Sequence, residues 1–210
     1  MKLAASLLAC VALLAGAVDA SAAKKEKAKE EKTKEKDSSS KPALIGTYGD
    51  WKVYHAATGK ARICYISAEP KSREPGAAKA EKAYAFISER PAERVRNEVS
   101  FVMGFELATA DDLKEAKKAK KPKKRGDDAP AAPGAPTATI GEAAFALTPV
   151  GSALWVKNAA EEGKVLDEMK KGSNLVIAAT SKKGRATTDT YSLAGFSQAV
   201  EKALKDCPGN

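Results

Sequence analysis

The 210-residue chain has a single histidine, His55, only three cysteines, and an aromatic content of just 6%. Each shortage closes off a class of function. Catalysis by a side-chain relay needs a nucleophile, a base and an orienting group within reach of one another. His55, beside Tyr54 at the end of a strand-like run, reads instead as an edge or surface residue. A zinc site needs more ligands than Cys64, Cys207 and His55 supply at these spacings. The C-x-x-C spacing of a redox pair is missing, and the scattered glycines make no phosphate-cradling loop. The paired carboxylates Asp111-Asp112, Asp127-Asp128 and Glu161-Glu162 lie in charged loops or helix starts, without the ligand spacing of a calcium loop. No metal or cofactor site is therefore expected. No internal repeat is visible.

Long apolar runs are also missing, with one exception. Lys2 is followed by an apolar stretch from Leu3 to Val18 and then Ala20-Ser21-Ala22, the charged, apolar and small-residue order of a secretory signal peptide. Cleavage is expected after Ala22. Leu7-Leu8-Ala9-Cys10 faintly resembles a lipoprotein box, but it would leave only about seven apolar residues, the floor of the usual length. The rest of the sequence has no run long enough to span a bilayer, so the protein is expected not to be membrane-spanning. Loss of the signal removes Cys10 and leaves Cys64 and Cys207. In an oxidising compartment an even pair reads as one disulfide. Closing so long a loop is worth roughly 4–5 kcal/mol in the chain-entropy model.

Charge is abundant but unevenly placed. The formal net charge is +9. From Lys24 to Lys41, and again from Ala108 to Pro136, eight basic residues face five acids, so the two segments together carry +6 of that total. The first has almost no apolar residue and reads as a disordered leader over 23–46. The second reads as a disordered insertion over 108–136, which starts as a lysine-rich helix former and ends in Pro/Ala linker chemistry. Lys114, Lys117, Lys118, Lys120, Lys121, Lys123, Lys124 and Arg125 make it a candidate patch for an acidic glycan or lipid surface. A solvated loop with no partner is the plainer reading. No stacking aromatics or recognition motif accompany these lysines, so nucleic acid is not expected as a partner.

The remaining stretches alternate in the manner of strands. GDWKVY (49–54), ARICYISA (61–68), 83–88, 99–105, 137–140, 143–147, 153–157, 175–180 and 185–190 are the candidates, with Lys182-Lys183-Gly184 as a hairpin turn. Ala159 to Lys171 predicts a helix stopped by Gly172. A last helix follows Ser192, its predicted N-cap, with Leu193, Phe196, Val200 and Leu204 as its apolar face. The fold class is therefore mainly β, α+β at the margins. It should be an antiparallel β-sandwich or barrel of about eight or nine short strands, with a C-terminal helix stapled by one disulfide. One domain, 47–207, is expected, with 208–210 as a tail. Gly195-Phe196-Ser197-Gln198-Ala199 is one glycine short of the G-x-S-x-G elbow of serine hydrolases. Inside a helix capped by Ser192, Ser197 would be an ordinary helical serine.

Several of these stretches together resemble the invasion-associated locus B family of alphaproteobacterial exported proteins. They are GDWKVY, RICY (62–65), AYAFISERPAERVRNEVSFVMGF (83–105), LWVKNAAEE (154–162), DEMKKGSNLVIAATSKKG (167–184) and TTDTYSLAGFSQAVEKALKDC (187–207). The resemblance runs from Gly49 to Cys207 and leaves out the leader and the insertion. It implies a β-rich periplasmic or envelope-associated protein, linked by name to host-cell interaction, and it places a paired cysteine at Cys64 and Cys207. It brings no catalytic residues. The expectation is a non-enzymatic binding protein for an envelope or host-surface component. A basic adhesin for acidic glycans or lipids, and a periplasmic enzyme or enzyme inhibitor, are the alternatives. Trp51 and Trp155 are candidates for an exposed aromatic sheet face, against the commoner fate of core packing.

Overall fold

The computed structural model describes residues 41–58, 61–76, 82–119 and 134–208. The predicted signal peptide, the leader up to residue 40, the stretch 120–133 and the last two residues lie outside the described residues. Among the described residues eleven strands form. They are β1 (Ala43–Tyr48), β2 (Trp51–Thr58), β3 (Ala61–Ala68), β4 (Ser72–Glu74), β5 (Tyr84–Arg90), β6 (Val95–Val102), β7 (Thr137–Ile140), β8 (Ala143–Val150), β9 (Ala153–Val156), β10 (Asn174–Thr180) and β11 (Ala186–Ser192). Three α-helices accompany them: α1 (Ala110–Ala119), α2 (Glu162–Lys171) and α3 (Phe196–Asp206).

The strands join in the order β1-β2-β3-β5-β6-β9-β8-β7-β10-β11-β4, and every pairing is antiparallel. The hinge of this long sheet is β8. Its first half, Ala143 to Ala146, pairs with β7, and its second half, Leu147 to Val150, pairs with β9. The sheet thereby turns over on itself and becomes sandwich-like, as the alternation predicts. From one layer Trp51, Val53, Ile66, Ile87, Val99, Phe101 and Leu154 point inward; from the other come Ile140, Leu175, Ile177 and Tyr191, all within 3% of full burial. Phe101 and Tyr191 meet across the layers with ring centroids 6.4 Å apart. The period of two along each strand is what delivers these side chains to one side.

Two strands escape the apolar pattern. β1 starts at Ala43, inside the stretch that composition assigns to the leader, because it gains a ladder against β2, with one register shift at Ile45. β4 has no apolar residue, and it is held by pairing with β11. The first part of the insertion, composed as a helix former, is the helix α1, tied down by buried Leu113 and capped by a reciprocal Thr109–Asp112 exchange. Those bonds, the backbone one first, hold the Asp112 carboxyl below its ordinary range.

The end of the chain folds with a shifted start. Ser192 is the last residue of β11, and the left-handed Gly195 occupies the N-cap of α3. The helix therefore buries Phe196, Ala199, Val200 and Ala203, while Leu204 is 38% exposed. At 3.6 residues per turn, Ala203 falls almost in line with Phe196 and Leu204 swings off that line. Gly195 is fixed by a close approach. A Cβ there would lie 2.1 Å from the Tyr48 carbonyl oxygen, and one on Gly49 would lie 2.3 Å from that of Ala194. Both glycines have positive φ, and Asp50 donates its backbone N–H to the Ala194 carbonyl at 3.1 Å. The β1–β2 turn and the β11–α3 turn are thus clamped backbone to backbone. Gly195→Ala is expected to lower unfolding free energy by about 2–3 kcal/mol in urea titrations. Gly76→Ala, with nothing within 4 Å of the added carbon, serves as the control. A Gly195→Ala protein within about 0.5 kcal/mol of wild type would overturn the clamp.

Candidate functional site

The alternation that sends Val53, Cys64, Ile66, Ala85 and Ile87 inward sends their neighbours outward. In β2, β3 and β5 those neighbours are Tyr54, Tyr65, Tyr84 and Phe86, each half-buried. Register brings them together: Tyr54 faces Tyr65, and Phe86 faces Ser67, next along the same face of β3. The Tyr54 and Tyr65 rings stack at 5.1 Å with 15° between planes. Phe86 stands edge-on to Tyr65 at 5.9 Å and tilted against Tyr84 at 5.8 Å. The same row continues through Ser100 of β6 to Trp155 of β9. An aromatic cluster on β2, β3 and β5 therefore continues, past Ser100 of β6, to Trp155 of β9 on a face that a solvated antiparallel sheet normally leaves polar. Burial, and then the neighbouring Tyr54, raise the pKa of the Tyr65 phenol.

Beside this band runs a groove of about 610 Å³. Tyr54 and Tyr84 line it together with Thr47, Lys52, Ser67 and Glu69, and Asp50 and Lys71 also border it. The Lys71 ammonium donates to the Asp50 carboxylate, whose pKa is lowered first by that bond and next by Ser192. Lys71 is fixed at its other end as well, its backbone N–H donating to the Thr190 carbonyl at 2.7 Å.

The sequence-predicted residues fall elsewhere. Trp51 is wholly in the core, edge-on to Phe196 at 4.9 Å, with its indole N–H on the Ser192 carbonyl at 3.0 Å. Trp155 alone of the two tryptophans stands on the outer face. His55 is on the inward side of β2, opposite Cys64, half-buried rather than at an edge, because β1 pairs beyond it. It lines a smaller cavity of about 390 Å³ with Arg62, Lys205 and Asp206, and its Nε2 is buried with no hydrogen-bond partner. Ser197 is the second residue of α3, less than one turn inside it. At 1.5 Å per residue it lies about 12 Å along the axis from Lys205 and Asp206, which line the cavity with His55. The structure does not bring that serine and histidine together. Lys114 and Lys118 are exposed on α1. Nothing is described of the Lys117 side chain, and Lys120, Lys121, Lys123, Lys124 and Arg125 lie outside the described residues. Cys64 and Cys207 are bonded, with their Cα atoms 6.0 Å apart.

Among the described residues no group of three or more His, Cys, Asp or Glu gathers as a cation site, and no helix is long and apolar enough to cross a membrane. The four outward aromatics of β2, β3 and β5 carry no catalytic signature in the sequence. A signal for them exists: once Trp51 and Cys64 are taken as inward, Tyr54 and Tyr65 must point out. Comparison of the chain with protein-family models, with curated proteins and with solved structures finds no match.

Proposed function

We propose that the chain is an exported, non-enzymatic envelope protein of the invasion-associated locus B type, which engages an envelope or host-surface component through its outer aromatic face. The observation that carries this reading is the band Tyr54–Tyr65–Phe86–Tyr84, extended to Trp155, flanking an open groove on a rigid sheet. Clustered half-exposed aromatics with polar tips are the anchors that recognition surfaces favour. The disulfide supports an oxidising compartment. The separation of His55 from Ser197 supports binding over hydrolysis, since neither can activate the other.

The test is co-sedimentation of the mature protein with isolated cell envelopes. Tyr65→Ala and Trp155→Ala are expected to weaken adherence about tenfold each, with circular dichroism unchanged. Adherence that ignores both substitutions, falls steeply with salt and disappears on deletion of 120–133 would sink this reading in favour of a basic adhesin.

A further inference from the structure

We infer that the groove between Tyr54 and Tyr84 is a saccharide subsite that takes an uncharged pyranose unit of a surface glycan; this rests on the aromatic face being the binding surface. The floor of the groove is interior sheet, because β2, β3 and β5 already pair on both sides. A peptide therefore cannot enter by adding a strand there. Recognition must come from side chains, and those present suit a sugar. Tyr54 and Tyr84 stand at the groove on neighbouring strands to either side of Ser67 of β3, and the electron-rich face of such rings attracts the polarised C–H face of a pyranose. Tyr65 backs Tyr54 in a near-parallel stack, which holds that ring in place before any ligand arrives.

The polar rim decides between kinds of glycan. Thr47, Ser67 and the two phenols both donate and accept, which matches sugar hydroxyls that do the same. Lys52 and Lys71 supply two positive charges, and Asp50 and Glu69 supply two negative ones. The lining is therefore balanced, so neither a polyanion nor a polycation is selected for. Lys71 and Asp50 further neutralise each other directly. A phosphate-rich or sulfated polymer would meet two carboxylates here, which opposes nucleic acid and acidic glycans alike. The volume of about 610 Å³ lies mid-range for small-ligand sites, which run from roughly 300 to 1,000 Å³.

The experiment is titration of the ¹⁵N-labelled mature protein with chitohexaose, maltohexaose and a heparin hexasaccharide. At least one neutral hexamer is expected to bind, with amide shifts centred on Thr47, Lys52, Ser67 and Glu69. Its Kd should change less than about twofold between roughly 50 and 300 mM salt. Tyr84→Ala should weaken it about tenfold. Tyr54→Phe, which keeps the stack and removes only the hydroxyl, should weaken it about threefold. The subsite is overturned if neither neutral hexamer shifts these amides, if both variants bind as wild type, or if heparin alone binds. Should envelope adherence still depend on Tyr65 and Trp155 in that event, only the saccharide claim falls; should it not, the aromatic face falls with it.

Discussion

Asp189→Ala is expected to remove about 3–5 kcal/mol of unfolding free energy, enough to unfold much of the population of a marginally stable domain. Asp189 is fully buried in β11, and its partner Arg73, on β4, keeps 6% of its side chain exposed. The pair is a two-point fork, Nε to Oδ1 at 2.5 Å and Nη2 to Oδ2 at 2.6 Å. Nη2 also donates to the Met103 carbonyl at 2.9 Å, and the guanidinium lies 5.2 Å from the Phe105 ring centroid. Removing the carboxylate takes the two-point acceptor away from a guanidinium that stays largely buried, and that cost dominates. The pair itself contributes far less than its removal costs, since desolvating both ions opposes their attraction. A double variant, Arg73→Met with Asp189→Leu, should therefore recover most of the loss. Arg73→Lys should not, because an ammonium cannot reproduce the fork. Urea titrations of the wild type, the two single variants and the double variant make the comparison. An Asp189→Ala protein within about 1 kcal/mol of wild type would show the pair to be energetically idle.

Tyr191 is linked to the same pair. Its phenol is pushed well above the usual tyrosine range, first by burial and next by the Asp189 charge, and its hydroxyl has no hydrogen-bond partner. Thr187, four residues before Tyr191 on β11, has a buried hydroxyl in the same condition. β11 therefore carries Thr187, Asp189 and Tyr191 on its inward face, where other strands carry Val, Ile and Leu.

That strand shows where the sequence is legible and where it stops. TTDTYS reads as a strand from its β-branched residues, and the hairpin at Lys182-Lys183-Gly184 forms where expected, with Thr180 opposite Ala186. Local patterns of this kind located nine strands and both C-terminal helices. Nothing local says that Asp189 faces inward to a partner 116 positions earlier. Ser72-Arg73-Glu74 has no strand pattern, and it becomes β4 only through that distant pairing. The Ser192 cap fails for a related reason. Its hydroxyl does bond the nearby Ala194 amide, but the clamp between Gly49 and Gly195 is a tertiary contact, and it delays the helix by one turn.

The candidate site was legible in parts. Of the two tryptophans that the sequence offers for an aromatic face, alternation sends Trp155 outward once Leu154 is taken as core. Trp51 shares the phase of Val53, so it goes to the interior. The four remaining aromatics share the opposite phase in three consecutive strands of the sheet. Their adjacency depends on which strands neighbour one another, and β4 intervenes in sequence between β3 and β5 without intervening in space. The lysine patch was conspicuous in sequence because composition is local information. The groove has no compositional trace.

Replacing both Cys64 and Cys207 with alanine is expected to lower stability by about 4–5 kcal/mol, and the argument is about the unfolded chain. The bond closes a loop of 143 positions, most of the described domain. Without it the denatured ensemble gains the freedom that the crosslink had denied. The urea m-value should rise as well, because a chain free of its crosslink exposes more surface on unfolding. Native contacts at the chain end should largely persist. Arg62 Nη1 donates to the Asp206 carbonyl and Arg96 Nη1 to that of Cys207, each at 3.0 Å. Arg96 also pairs with the buried Glu89, which accepts the Asn97 amide at 2.9 Å. These bonds, and the buried face of α3, keep the helix docked while the global balance shifts. Hydrogen exchange can separate the two effects. If the loss is entropic and global, protection falls by a similar factor in α3, β10 and β11. If the bond acts only by pinning the helix, α3 loses protection and β10 and β11 keep theirs. Because Cys64 points inward while Tyr65 points outward, the glycan binding proposed for the aromatic face should be retained under conditions where the variant remains folded. A midpoint in reductant equal to that in oxidant would contradict the staple outright.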